Sequence, residues 1–94
     1  MARRWQRRTV LGMSAGTDRL LAASQARAAL RDGRLRELRE FHGFSQRELA
    51  EAVGVDESAL SRWESGKRVP RIDAAARLAF VLRRLEQAAR KGDP

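Results

Sequence analysis

Ser45-Gln-Arg-Glu-Leu-Ala-Glu-Ala-Val-Gly-Val-Asp-Glu-Ser-Ala-Leu-Ser-Arg-Trp-Glu-Ser-Gly66 reads as two short helices joined by a tight turn at Gly54. Ser45 and Glu48 have the spacing of a capping box, in which each side chain satisfies a backbone N–H that the first helical turn leaves unpaired. The first helix is therefore expected over about residues 46–53, with Leu49, Ala50 and Val53 on its inward face. Gly54 can take the positive φ that ends a helix without steric cost, and Asp56 is placed to cap the helix that follows. That second helix, about 57–65, turns Leu60 and Trp63 inward and leaves the face with 57, 58, 61 and 62 free. Ala50 is small where two steeply crossing helices would touch.

The same signals extend outward. Thr17 and Asp18 can start a helix through Leu20, Leu21, Ala23, Ala26, Ala28 and Leu30, with a break at Gly33. Arg34 to His42 makes a further helix with Leu35 and Leu38 on one face; Gly43 ends it, and Phe44 is expected to point into the core. A basic loop, Gly66 to Pro70, leads to a long helix over about 72–91. Its stripe of Ala75, Leu78, Leu82, Leu85 and Ala89 has amphipathic spacing. Ile72, Ala76 and Phe80 form a second apolar line, to be covered by the N-terminal helix, a second subunit or another protein.

The chain of 94 residues suits one small domain, and its net charge of +8 favours a polyanionic partner. The distribution of charge says more than its total. Residues 1–16 carry Arg3, Arg4, Arg7 and Arg8 and no acid, whereas residues 34–70 hold seven basic and seven acidic groups. The two-helix motif is neutral and the surplus lies in its flanks. There is no cysteine and one histidine, so disulfides, zinc fingers and most triad chemistry are excluded, and neither enzyme activity, metal nor cofactor is expected. The apolar stretch after the paired arginines is too short for an export signal or a membrane span and runs into Asp18 and Arg19. A cytoplasmic protein without membrane attachment is expected, organised as a basic flexible arm (1–16), an additional helix (17–32) and a main domain (33–94).

From Leu38-Arg-Glu40 through Ser45-Gln46, Leu49-Ala50, Gly54-Val55, Leu60, Glu64, Gly66-Lys67 and Pro70, the chain resembles the helix-turn-helix domain of lambdoid phage repressors and Cro proteins, the xenobiotic-response-element-like regulators of prokaryotes. The resemblance covers about residues 34–82. It implies an all-α, compact helical bundle, here with an additional N-terminal helix and a long C-terminal helix. It also implies that the helix from Glu57 to Ser65 lies in the DNA major groove, with Glu57, Ser58, Ser61 and Arg62 facing the bases. Arg62 is the strongest candidate, since a guanidinium can donate two hydrogen bonds to guanine O6 and N7. Glu57 departs from the amide frequent in the family: it can accept from cytosine N4, or act with Asp56 on the helix dipole and weaken indiscriminate binding.

By the same resemblance Ser45, Gln46, Lys67 and Arg68 are candidate phosphate contacts, which fix register rather than sequence; Arg71 stands where the family often has a helix-capping hydroxyl, and as a poor cap it joins them as a candidate for the DNA backbone. Arg39 and Glu64 match a structural salt bridge. Trp63 is read as core, Trp5 as part of the arm, and His42 as a solvated residue at a helix end. The expected function is a sequence-specific regulator of transcription that binds double-stranded DNA as a homodimer and represses by occluding polymerase. The alternatives are an interaction module of the antitoxin type, using the Ile72, Ala76 and Phe80 face, and nonspecific nucleic-acid packaging by the arm.

Overall fold

The computed structural model describes the backbone of residues 2–92 and the side chains of residues 15–92. Five helices make up its regular structure: α1 Ala2–Arg31, α2 Arg34–Phe41, α3 Gln46–Val53, α4 Glu57–Glu64 and α5 Ile72–Gly92. Among the described residues there are no strands, as the all-helical reading expects.

α3 begins where the local chemistry requires. Ser45 Oγ accepts from the Glu48 N–H at 3.0 Å, and Glu48 Oε1 accepts from the Ser45 N–H at 2.9 Å. At the other end Gly54 sits at φ 86°, and its N–H and that of Val55 both reach the Ala50 carbonyl. Asp56 has the extended backbone of an N-cap but makes no side-chain capping bond, so its contribution to α4 is that of a negative charge near the helix start.

Leu35, Val53, Leu60 and Leu78 are the largest fully buried side chains; they join Leu49, Ala50, Trp63, Ala75, Ala79, Leu82 and Leu85 in one core. Each buried leucine contributes about 1.5–3 kcal/mol. Arg77 Nε donates to the Val53 carbonyl at 3.0 Å, tying α5 to the end of α3.

α1 packs mainly on α5. Along α1, Leu20 and Leu21 are 56% and 57% exposed, and the buried residues are Ala23, Ala26 and Ala29. Alanines on α1, with Ala75 and Ala79 buried on α5, let two helices approach closely, so side-chain size rather than hydrophobicity sets the contact. The leucines fall on its flank. α1 also takes in residues 2–16 as continuous helix, where composition had set an arm apart; the side chains of Arg3, Arg4, Trp5, Arg7 and Arg8 lie outside the described residues. No proline interrupts this stretch.

Two further readings are corrected around α2. Phe44 does not enter the core but is 41% exposed, its ring stacked on His42 with centroids 5.9 Å apart. Its backbone is held instead: the Phe44 N–H donates to Arg39 O, and its carbonyl accepts from Arg39 Nη1. His42 is not simply solvated, because Nε2 lies 2.9 Å from the Leu85 carbonyl and links α2 to α5. On α5, Ile72 and Phe80 remain exposed even with α1 packed alongside.

Candidate nucleic-acid interface

The buried residues of α4 determine which of its side chains are available. Leu60 and Trp63 point inward, and this orientation leaves Glu57, Ser58 and Arg62 exposed, with Ser61 half-buried. Three of the four candidate readers are therefore open to a ligand, and Ser61 only in part. The Arg62 carbonyl collects Ser65 Oγ and the N–H groups of Lys67 and Arg68, which folds the following loop back over the end of α4. Arg62, Arg68 and Arg71 consequently line one cleft of about 340 Å³, with Ala59, Val69 and Pro70 among its walls. Lys67 is exposed on the same loop.

Beneath this surface Glu64 forms the hub of a polar network. Arg39 grips it with two bonds, Nε to Oε2 at 2.8 Å and Nη2 to Oε1 at 3.0 Å. Gln46 Nε2 donates to Oε1 at 2.8 Å, and Arg36 Nε stands 3.5 Å from the same oxygen. The Glu64 side chain is only 1% exposed. Burial pushes its carboxyl upward, but the hydrogen bonds from Arg39 and Gln46, with the charges of Arg39 and Arg36, outweigh this and hold it below the ordinary range. The hydrogen bond to Glu64 in turn raises Arg39, against the opposing effect of burial.

This network refines the phosphate candidates. One N–H of the Gln46 amide is committed to Glu64, and only its second N–H is left for a ligand. Ser45 uses one hydroxyl lone pair and its own N–H in the capping box and keeps the hydroxyl proton and the second lone pair. Ser45 and Gln46 therefore sit at the start of α3, with Glu64 joining α3 to the end of α4.

Arg36 and Arg27 were not legible as participants. Arg27 on α1 donates through both Nε and Nη2 to the Pro70 carbonyl, at 3.0 and 2.9 Å, and so braces the loop that carries Lys67 and Arg68. No local pattern announces a contact 43 residues away along the chain. Among the described residues no group of acidic, histidine or cysteine side chains could hold a metal ion. None of their helices is long and apolar enough to cross a membrane.

A family model described as helix-turn-helix matches residues 35–90. A protein of Pyrococcus furiosus, provisionally named an HTH-type transcriptional regulatory protein, is 44% identical over 76 residues, covering 78% of this chain and 24% of that one. A similarly named protein of Thermococcus kodakarensis is 46% identical over 47 residues, covering 50% of this chain and 15% of its own. The chain thus spans a quarter or less of the length of these relatives. The Pyrococcus alignment is longer than residues 35–90 and the few that follow them, so it also takes in part of α1. No solved structure matches the chain significantly.

Proposed function

This chain belongs to the helix-turn-helix family, and from that premise we propose that it binds double-stranded DNA and regulates transcription, reading the major groove with α4. The regulatory role follows the provisional names of its relatives. The carrying observation is the division of α4: Leu60 and Trp63 are buried, while Glu57, Ser58 and Arg62 are exposed beside Arg68 and Arg71. Arg62 is the principal reader, with Glu57, Ser58 and Ser61 contributing according to the base opposite them. Ser45, Gln46, Lys67, Arg68 and Arg71 hold the backbone and fix register.

One recognition helix reads few base pairs, so the protein acts as a homodimer on an inverted repeat, with half-sites about 34 Å apart, and represses by occlusion. Selection of binding sites from random DNA tests this. An inverted repeat supports dimeric reading; a single half-site removes the dimer; no enriched sequence removes specific reading. The exposed Phe80 and Ile72 favour a second reading, docking of another protein on α5. A chain that binds no duplex at low salt but is captured by a protein through that face would replace the DNA reading. Removal of residues 1–16 is expected to lower affinity and flatten its salt dependence while leaving sequence preference intact.

A further inference from the structure

α1 precedes the residues that the family model matches, yet it meets the loop of phosphate candidates. A cleft of about 330 Å³ opens between them, lined by Arg27, Leu30 and Arg31 from α1 and by Ser65, Gly66 and Arg68 from the end of α4 and its loop. The polar groups within it are nearly all committed. Arg27 gives an N–H each from Nε and Nη2 to the Pro70 carbonyl, Ser65 Oγ is bonded to Arg62 O, and the Gly66 and Arg68 N–H groups to Trp63 O and Arg62 O.

Glu64, the carboxylate that borders the cleft, is saturated by Arg39, Gln46 and Arg36. Asp32, beside Arg31 in sequence, turns Oδ1 to the Arg34 N–H. Two guanidiniums are left over. Among the described residues, the side chains of Arg31 and Arg68 have neither a hydrogen-bond nor an ion-pair partner, and both are exposed. Like charges converging on one cleft repel one another until an anion lies between them. The cleft adjoins the one lined by Arg62, Arg68 and Arg71, with Arg68 common to both.

We propose that Arg31 and Arg68 together hold a backbone phosphate of the bound duplex, so that α1 extends the DNA contact beyond the family motif, with Arg27 as the positioning residue that keeps α1 against the loop. The proposal rests on the DNA reading above. It takes a phosphate diester of duplex DNA as its ligand because the cleft continues the surface that carries Arg62, Lys67 and Arg71, and because guanidiniums pair two-pronged with phosphate oxygens.

The test is a salt series of duplex binding, followed by fluorescence anisotropy on a random-sequence duplex, for the wild-type chain, Arg31→Ala, Arg31→Lys and Arg90→Ala. Arg90 lies in the groove between α2 and α5 and removes the same unit of charge. Arg31→Ala is expected to reduce the slope of log affinity against log salt by about one. Between about 50 and about 200 mM salt the variant then loses roughly three- to fourfold less affinity than the wild type. Arg31→Lys should restore the slope, and Arg90→Ala should leave it near the wild-type value. An unchanged slope for Arg31→Ala, or equal changes for Arg31→Ala and Arg90→Ala, would overturn the proposal while leaving DNA binding standing. A wild-type chain that binds no duplex would overturn both. Arg31 is exposed at the end of α1, so each variant should keep the wild-type far-ultraviolet circular dichroism spectrum, which checks that it is folded.

Discussion

Replacing Arg39 with methionine should strand the Glu64 carboxylate, and the size of the loss follows from what remains around it. Arg39 supplies the two hydrogen bonds of 2.8 and 3.0 Å, one to each carboxylate oxygen. Without them Oε1 keeps Gln46 at 2.8 Å and Arg36 at 3.5 Å, while Oε2 loses its donor in a site where Glu64 is 1% and Arg39 11% exposed. Breaking one side of a buried pair costs about 3–5 kcal/mol. The two surviving partners argue for the low end, about 3 kcal/mol, which for a domain of this size lowers the melting temperature by roughly 12–24 °C.

The assay is thermal and urea unfolding of Arg39→Met, Glu64→Gln and the double variant. Because the double variant has no stranded charge, it should be more stable than Arg39→Met alone. A double variant that loses the sum of the two single losses would refute the stranded-charge argument. The pH dependence carries a second check. Glu64 has a lowered folded pKa, so its contribution is present above the unfolded value of about 4.3 and is lost as pH falls through the folded pKa. In Arg39→Met the stranded carboxyl instead takes a proton more readily. The stability gap between the two proteins should therefore narrow from pH 7 to about pH 4, and a constant gap would count against the mechanism.

The remaining expectations concern the reading helix, the turn and the helix contact. Arg62→Ala should relax preference at one base pair by about 1–3 kcal/mol, measured by binding to a panel of single-base operator variants, with little change in the melting temperature. Gly54→Ala forces a side chain to φ 86°; the added Cβ meets Arg77 Nε at an ordinary 3.8 Å, so the loss of about 1–2 kcal/mol in urea unfolding is backbone strain rather than collision. Ala26→Leu should cost about 1–3 kcal/mol by forcing α1 and α5 apart, whereas Leu21→Ala, on the exposed flank, should change stability by less than about 0.5 kcal/mol.

The helices and their boundaries from Gly33 onward were legible because their signals are local. A capping box acts between Ser45 and Glu48, a turn needs one glycine at position 54, and the inward faces of α3, α4 and α5 follow from spacings of three and four. The same reach makes α4 readable as a face with two buried anchors and an open side. Ordered resemblance to a known motif supplied the pairing of Arg39 with Glu64, which no spacing rule contains.

The helical periods, the caps and the uneven spread of charge are all written in the order of residues along the chain. Tertiary structure decided which apolar residues are used and which polar groups are spent. Leu20 and Leu21 outrank Ala23 and Ala26 on any hydrophobic scale, but a close crossing of α1 and α5 selects small side chains, so the alanines are buried and the leucines are not. Phe44 is left outside because its backbone is held by Arg39, and His42 finds the Leu85 carbonyl 43 positions away. Gln46 gives one amide N–H to Glu64, and Arg27 gives an N–H each from Nε and Nη2 to Pro70, to partners 18 and 43 positions distant. Hydrogen bonds and packing act over a few ångströms in space, and neighbours so far apart along the chain become neighbours only when the helices cross.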